Sequence, residues 1–555
     1  MCFLFSLWFL RLANTMKYFT WIIFTIFIFS WTSTIRAGQT LVISTDCGPI
    51  QGIKDKSFVF KGIPYALPPV GNRRWKQPIP VNSELGTCWH GIYPALKFGN
   101  TCAQKNPLNE SLTLGSEDCL YINVWTPTVT KSAKLPVMVY IHGGSLQFAN
   151  GNWPTYCPTE SLVMETDMVH VSFNYRLHAF GFMALDILSS ASETKTSGNY
   201  GFMDQLAALQ WVKTNIENFG GDPNKVTLYG QSSGGTSVFA LLASPFSSGL
   251  FQKAWMLSAS PILNKTLDDA SRDNQIFLER SGCSTLQCLY DLPVDDVIKA
   301  VPWNVYPFWA MLDQGDLPVK GQFDGAMAIV DGYIIPRPPF EAWEMGKTID
   351  VPVMIGTTGQ EIDYQPSYND LYNWTWSHYE NVVTSKLGTF GMDVAKRALE
   401  FYPMYNVTPE YQFTSLVSDI RVTCPNDILA TKAAKTFKSP VYRYVVTSAP
   451  SAPIHLFGLP FPARYSMHAW DMLAFFGTIV DYITVQQSDK MFSEVMRREI
   501  LSFVHTGKPF TETWETFENS VAILNTTISV AKNYHETECK YWMNNAKLWP
   551  YAWIN

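Results

Sequence analysis

The chain has 555 residues, of which 47% are hydrophobic and 14% aromatic, which is the composition of a folded protein and excludes a disordered one. The formal net charge is −6. No run of Lys and Arg of the kind that contacts phosphates occurs, so nucleic-acid binding is not expected. Because there is no internal repeat, low-complexity tract or long linker, residues 38–555 are predicted to form a single domain.

The first 37 residues are typical of a targeting segment. Arg11 and Lys17 precede an apolar run, residues 18–31, as in a secretory signal peptide. The alternative is a retained membrane anchor, because residues 18–35 carry no charge and are just long enough to span a bilayer. We expect cleavage, which would leave a mature chain without membrane attachment.

Two features of the remaining chain favour a secreted protein or one in the lumen of the secretory pathway. The ten cysteines, nine of them after the leader, include no C-x-x-C pair typical of zinc or redox sites, so we expect disulfides formed in an oxidising compartment. Five acceptor sequons for N-glycosylation are present, at Asn109, Asn264, Asn373, Asn406 and Asn525.

Short buried strands alternate with helical patterns along the chain. Apolar positions at helical spacing predict one helix after Asp204 that ends near Gly220, and another over residues 236–243. Strands are predicted at residues 136–141, 169–173, 226–229, 351–355 and 441–446. This alternation predicts an α/β fold with a mostly parallel sheet covered by helices on both faces.

One motif, at residues 230–234, has the form Gly-x-Ser-x-Gly. It lies between a predicted strand and a predicted helix, which is the context of a nucleophile elbow. Such a turn is so sharp that the positions two residues before and after the serine have no room for a side chain. Ser232 is therefore the candidate nucleophile, although an ordinary Gly-rich turn would show the same pattern.

A serine hydroxyl needs a base to accept its proton, and at elbows of this kind the chain order is Ser, acid, His. Of the nine histidines, this order and the position of the strand at 441–446 leave four. Their spacing alone does not choose among them: His455, His468, His505 and His535.

Backbone N–H groups for a developing oxyanion are predicted directly after the strand at 136–141. Residues 142–145 (His-Gly-Gly-Ser) follow this strand, where an oxyanion loop belongs. Ser233, the residue after the candidate nucleophile, would supply another N–H group.

The chain resembles the type-B carboxylesterase/cholinesterase family over nearly all of its length after the leader. The resemblance rests on the elbow and on the strings at residues 116–124, 174–176, 198–201, 204–205 and 219–223. It implies the α/β-hydrolase fold. Residues 356–361 resemble the family's acid segment and residues 467–471 its histidine segment, which assigns Glu361 as the acid and His468 as the base. The implied oxyanion hole consists of the N–H groups of Gly144, Ser145 and Ser233.

The resemblance also implies structural links. The implied ion pairs join Arg74 to Glu117 and Arg176 to Asp204. The implied disulfides are Cys102–Cys119, Cys283–Cys288 and Cys424–Cys539. Three cysteines beyond the leader stay unassigned: Cys47, Cys88 and Cys157.

Four positions depart from the family pattern. Ser145 replaces the third glycine of the oxyanion loop, Gln231 the usual Glu before the nucleophile, Ser233 the usual Ala after it, and Ile362 the Gly after the acid. The segment between Cys102 and Cys119 also lacks the tryptophan that holds a quaternary ammonium in cholinesterases. Choline-ester specificity is therefore not expected. Glutamine at the elbow occurs in nematode and insect members.

The sequence thus predicts a nematode- or insect-type serine carboxylesterase that acts on a small, uncharged ester through an acyl-enzyme. No metal or cofactor is expected, because no H-E-x-x-H or Cys/His ligand pattern is present. The alternative is a catalytically silent binding or adhesion protein of the same fold. Three aromatic residues are candidates for lining the substrate gorge: Phe308, Trp309 and Tyr364.

Overall fold

A thirteen-stranded sheet runs through the described part of the chain, with a separate two-stranded sheet beside it. The computed structural model describes residues 39–106, 109–301, 315–322, 327–518 and 520–552, and for residues 109–111 the backbone only. The predicted leader, together with Phe308 and Trp309, lies outside these ranges. Among the described residues, none of the helices combines the length and the apolar character that crossing a membrane requires.

The two sheets together contain fifteen strands among the described residues, numbered in chain order. Their bounds are β1 (Gln39–Thr45), β2 (Gly48–Lys54), β3 (Phe58–Pro64), β4 (Tyr93–Pro94), β5 (Gln104–Asn106), β6 (Asn109–Leu114), β7 (Tyr121–Thr126), β8 (Leu135–Ile141), β9 (Val169–Phe173), β10 (Gly221–Gln231), β11 (Lys253–Leu257), β12 (Val353–Thr358), β13 (Val441–Val446), β14 (Val521–Leu524) and β15 (Ile528–Ala531).

The centre of the large sheet is parallel, as predicted. Its order is β1-β2-β3-β7-β9-β8-β10-β11-β12-β13-β14-β15, with β4 paired to β2. Every pair from β9 through β14 is parallel, whereas the pairs β2–β3, β3–β7, β7–β9 and β14–β15 are antiparallel. Because parallel strands need crossover connections, helices come to lie on both faces of this central part.

Helices form these two layers. Their bounds are α1 (Glu160–Thr166), α2 (His178–Phe182), α3 (Asp186–Ala191), α4 (Tyr200–Asn215), α5 (Ser233–Leu242), α6 (Leu267–Asp273), α7 (Gln275–Ser281), α8 (Leu286–Asp291), α9 (Val294–Ala300), α10 (Pro339–Glu344), α11 (Trp376–Leu387), α12 (Met392–Phe401), α13 (Pro409–Ser418), α14 (Cys424–Thr436), α15 (Trp470–Phe476), α16 (Gln487–Thr506) and α17 (Glu536–Asn544).

Strand β8 shows how the sheet is buried on both faces. Val137 and Val139 belong to a core that includes apolar residues of α4, α5 and α14. Met138 and Tyr140, which alternate with them, belong to a second core that includes residues of α15 and α16. Since successive side chains of a strand point to opposite faces, this division follows from the continuous apolar run in the sequence.

Some predicted bounds were wrong. The helix predicted after Asp204 begins at Tyr200 and contains Asp204, because Gly198 and Asn199 adopt left-handed conformations (φ 76° and 49°) that prevent an earlier start. Its end near Gly220 is right, since a 3₁₀ turn continues α4 to that residue. The second helix begins at Ser233, three residues before the predicted range.

Four disulfides link the described cysteines. The three implied pairs, Cys102–Cys119, Cys283–Cys288 and Cys424–Cys539, are bonded. The sequence did not assign a fourth, Cys47–Cys88, while Cys157 belongs to no disulfide.

The two implied ion pairs are also formed. Arg74 Nε lies 2.6 Å from Glu117 Oε1, and Arg176 Nη2 lies 2.7 Å from Asp204 Oδ1. The second pair is buried. Burial raises the pKa of Asp204 and the charge of Arg176 lowers it; burial has the larger effect, so the pKa is raised.

The sequon asparagines differ in exposure. Asn264, Asn373 and Asn406 are exposed. Asn525, in the turn between β14 and β15, is half-buried, and its side-chain amide donates to Thr447 Oγ1 at 3.2 Å. Asn109 begins β6, and its side chain is outside the described part.

Candidate active site

The predicted site residues converge at one edge of the parallel sheet. Ser232 directly follows β10, the predicted oxyanion loop follows β8, and Glu361 lies three residues beyond β12. Parallel strands end at the same edge of a sheet, so the fold brings these three segments together.

Ser232 occupies a strained backbone conformation between β10 and α5. Its φ of 61° and ψ of −131° lie outside the regions that residues with a Cβ normally adopt. The turn is fixed from both sides: the Ser232 N–H donates to Leu257 O at 2.9 Å, and Ser232 O accepts from the Thr236 N–H at 3.0 Å. Strain of this kind, held in place by neighbouring strands and helices, is typical of functional sites.

The motif glycines are required by close approach. A Cβ on Gly230 would lie 2.3 Å from Gly234 O, and a Cβ on Gly234 would lie 2.1 Å from Ile141 O. Both distances are far below van der Waals contact. The reason given by the sequence pattern, lack of room beside the elbow, agrees with this geometry.

Glu361 and His468 form a buried pair. The imidazole Nδ1 of His468 lies 2.5 Å from Glu361 Oε2, and the His468 N–H donates to Glu361 O at 3.1 Å. The other three candidate histidines have different surroundings. His455 and His505 are exposed, and His535 Nδ1 contacts Asp419 at 2.6 Å.

The second oxygen of Glu361 is engaged as well. Glu361 Oε1 accepts from the Thr358 N–H and from the Ser258 hydroxyl, both at 2.7 Å. These contacts fix the carboxylate with Oε2 towards the imidazole. Sequence reasoning missed Ser258, which directly follows β11 and carries no motif of its own.

The acid segment and the histidine segment are tied together beyond this pair. Gln360 N–H donates to Ser466 O at 3.0 Å, and Asp363 Oδ2 accepts from the N–H groups of Arg464 and Tyr465 at 2.6 and 2.7 Å. Burial raises the pKa of Asp363 to about 8 despite these two donors. Asp363 therefore belongs to the scaffold that positions His468.

The predicted oxyanion loop runs alongside the candidate nucleophile. A Cβ on Gly143 would lie 2.8 Å from Ser232 Cβ, so there is no room for a larger residue there. Gly144 and Ser145 have φ values of 103° and 54°. Among the hydrogen bonds of the described residues, the N–H groups of Gly144, Ser145 and Ser233 have no protein acceptor. Three such donors beside the candidate nucleophile fit the requirement of an oxyanion.

Burial favours the uncharged form of two titratable groups near the candidate nucleophile. Burial lowers the pKa of His142 to about 4, so this imidazole is uncharged at neutral pH. Gln231, in place of the family's Glu, accepts a hydrogen bond from the Tyr156 hydroxyl. Burial, followed by the charge of Glu361, raises the pKa of Asp471 to about 7.

Aromatic rings flank the site. Tyr364 stacks on His468 with ring centroids 5.6 Å apart. Trp153 and Tyr156 each contact the ring of Phe457. Of the three predicted gorge residues, Tyr364 is thus placed beside the candidate base.

A mostly parallel sheet covered on both faces, with a strained serine elbow after a central strand, defines the chain as an α/β-hydrolase. Within that class it belongs to the carboxylesterase family, whose model matches residues 39–542. The chain is a carboxylic ester hydrolase by family and by fold, and the family resemblance stated from the sequence is confirmed.

Similar proteins include both curated relatives and solved structures. Neurotactin of Drosophila melanogaster is 30% identical over 532 residues, which is 94% of this chain but only 58% of neurotactin. Para-nitrobenzyl esterase of Bacillus subtilis (strain 168) is 31% identical over 85% of this chain and 91% of that protein. A structure of PNB esterase has a TM-score of 0.71 at 29% identity and covers 91% of this chain and 100% of its own.

Proposed function

We propose that the chain is a serine carboxylesterase that hydrolyses small, uncharged carboxylic esters through an acyl-enzyme. Ser232 is the nucleophile, His468 the general base and Glu361 the residue that orients the base. The observation that carries the proposal is the buried His468–Glu361 pair, 2.5 Å apart, at the same sheet edge as the strained Ser232.

In acylation, Ser232 Oγ adds to the ester carbonyl carbon while His468 Nε2 accepts the hydroxyl proton. Glu361 accepts from Nδ1–H, which keeps Nε2 unprotonated beforehand and stabilises the imidazolium afterwards. The carbonyl oxygen becomes an oxyanion facing the N–H groups of Gly144, Ser145 and Ser233. The alkoxide then leaves with the proton from His468.

In deacylation, His468 takes a proton from water, and the hydroxide adds to the acyl carbon. The second tetrahedral oxyanion occupies the same hole. Its collapse breaks the bond to Ser232 Oγ, which recovers its proton from His468 and releases the carboxylic acid.

Two features favour uncharged esters over choline esters. Gln231 replaces a carboxylate beside the nucleophile, and the segment from Cys102 to Cys119 contains no aromatic residue that could hold a quaternary ammonium. We therefore expect p-nitrophenyl esters to be hydrolysed and acetylthiocholine to react at least about tenfold more slowly, because a desolvated cation–π contact is worth about 2 kcal/mol.

We also propose that the protein is a secreted glycoprotein or resides in the secretory-pathway lumen. The four disulfides, the exposed sequons at Asn264, Asn373 and Asn406, and the predicted leader support this location.

The test is labelling of the purified protein with a fluorophosphonate probe, which reports on the nucleophile without a choice of substrate. We expect stoichiometric labelling of the wild type and none of Ser232→Ala. Ser237→Ala is the matched control, because it removes another buried hydroxyl from the helix that follows the elbow. Full labelling of a folded Ser232→Ala protein would contradict the assignment.

The alternative function is binding without turnover on the same fold. It predicts a folded wild-type protein that does not react with the probe. The presence of usable residues at all three triad positions favours the enzyme.

A further inference from the structure

The loop that begins with the predicted oxyanion loop and continues to Ala149 (residues 142–149) contains three non-glycine residues with left-handed backbone conformations. Ser145, Leu146 and Ala149 have φ values of 54°, 58° and 76°. A Cβ is disfavoured in this region, so the loop persists only if its surroundings determine its shape.

The far end of the loop is held by Gln104. Its side-chain amide accepts from the Ala149 N–H at 2.8 Å and donates to Ala149 O at 3.0 Å. The oxygen and the nitrogen of the Gln104 side-chain amide thus both bond to the backbone of Ala149. Gln104 is buried, so these bonds are shielded from water.

The near end, next to the nucleophile, is held by the side chain of Ser233. The Leu146 N–H donates to Ser233 Oγ at 3.0 Å, and Leu146 O accepts from the His178 N–H at 2.8 Å. Leu146 is only 2% exposed, so its N–H depends on an acceptor within the protein, and that acceptor is the Ser233 hydroxyl.

A second anchor holds the start of the loop. The Tyr175 hydroxyl donates to His142 O at 2.8 Å. Tyr175 therefore holds the residue at which the loop begins, and Ser233 holds the residue that follows Ser145.

We propose that the Ser233 hydroxyl is a positioning group for the oxyanion hole: it holds Leu146 so that the N–H groups of Gly144 and Ser145 face the reacting carbonyl. The hydroxyl offsets the strain that arises because Ser145 stands where the resembling family has a third glycine. This inference deepens the proposed esterase function and rests on it.

The experiment compares Ser233→Ala in two backgrounds, wild type and Ser145→Gly. In the wild-type background, we expect kcat for p-nitrophenyl acetate to fall about 10- to 100-fold with KM within threefold, because loss of one hole donor costs about 10²–10³. A trifluoromethyl ketone should lose affinity by a similar factor, since addition of Ser232 Oγ places an oxyanion in the hole. In the Ser145→Gly background, the loss of kcat should be at most threefold, because glycine adopts the left-handed conformation without strain.

The matched control is again Ser237→Ala. Its hydroxyl donates to Ser233 O at 2.8 Å on the same helix and does not bond the loop. We expect kcat and ketone affinity of this variant within twofold of wild type. Because alanine is the usual residue after the nucleophile in the resembling family, Ser233→Ala is expected to fold, which circular dichroism and thermal unfolding check.

Either of two results would overturn the inference alone: a Ser233→Ala enzyme with kcat within twofold of wild type, or an equal loss of kcat in both backgrounds. A folded wild-type protein that does not react with the fluorophosphonate probe would overturn the proposed function and this inference together. The two failures are therefore distinguishable.

Discussion

Replacing Glu361 by Gln tests the orientation of the base without changing its size. In the Gln variant, the fixed Thr358 N–H, which donates to Oε1 at 2.7 Å in the wild type, requires an oxygen at that position. The side-chain NH₂ must then face His468 Nδ1. An NH₂ group donates and cannot accept, so Nδ1 becomes the acceptor and the proton moves to Nε2.

With Nε2 protonated, His468 cannot accept the proton of Ser232. Loss of the correct tautomer in a Ser–His–acid triad lowers kcat by about 10⁴. A factor of that size corresponds to about 5 kcal/mol of transition-state stabilisation. We expect this loss for Glu361→Gln in steady-state hydrolysis of p-nitrophenyl acetate, with KM nearly unchanged.

The control for this variant is Ser258→Ala, which removes one bond to Oε1 but leaves the Thr358 N–H and the carboxylate in place. We expect it to lose no more than about tenfold, because an interaction with a charged group is worth about 1.5–3 kcal/mol at most and only part of it acts through His468. If folded Glu361→Gln retains activity within tenfold of wild type, the tautomer argument is wrong.

Three further predictions concern stability. Although burial opposes the charged form, Asp419 raises the pKa of His535 to about 9. The charge-dependent stabilisation is therefore complete below about pH 6.5 and is lost as the pH rises through 9. The Tm difference between wild type and His535→Gln should be largest at about pH 6 and smallest at about pH 10, and a difference that does not change with pH would refute this. Arg176→Met should lower the free energy of unfolding by about 3–5 kcal/mol, because it leaves the Asp204 carboxylate buried and unpaired. The double variant Arg176→Met with Asp204→Leu should lose less. Equal losses for the two variants in urea titrations would contradict this prediction. Removing the Cys424–Cys539 disulfide by double alanine substitution should lower the free energy of unfolding by about 3 kcal/mol more than removing Cys283–Cys288, because the two disulfides bridge 115 and 5 residues. Equal free energies of unfolding for the two double variants would contradict this prediction.

The parts of the fold that the sequence predicts well are those set by local pattern. The strands at 169–173 and 441–446 have the predicted bounds, because each is a short apolar run buried on both faces. The start of α4 could not be found this way. Asn199, which precedes it, exchanges two hydrogen bonds with the backbone of Ile329, 130 residues away. Such a long-range contact leaves no signal in a sequence window.

The candidate site shows the same division. The elbow can be predicted from the sequence, because its tight turn leaves room only for glycine at the motif positions around Ser232. The acid and the base cannot be predicted from sequence spacing. Glu361 and His468 are 107 residues apart and are brought together by the pairing of β12 with β13. Only the family resemblance separated His468 from the other three candidates.

Two of the departures from the family pattern, Ser145 and Ser233, are explained better together than singly. Considered singly, Ser145 adds a Cβ to a strained loop and is a reason to doubt the oxyanion hole. Ser233, also considered singly, adds a hydroxyl whose use the sequence does not reveal. In the structure, Ser145 directly precedes Leu146, the residue whose N–H the Ser233 hydroxyl accepts at 3.0 Å. Ser145, which strains the loop, is thus next to the residue that Ser233 anchors. We therefore interpret the two departures as one coupled change, and only a double-mutant cycle can measure their coupling.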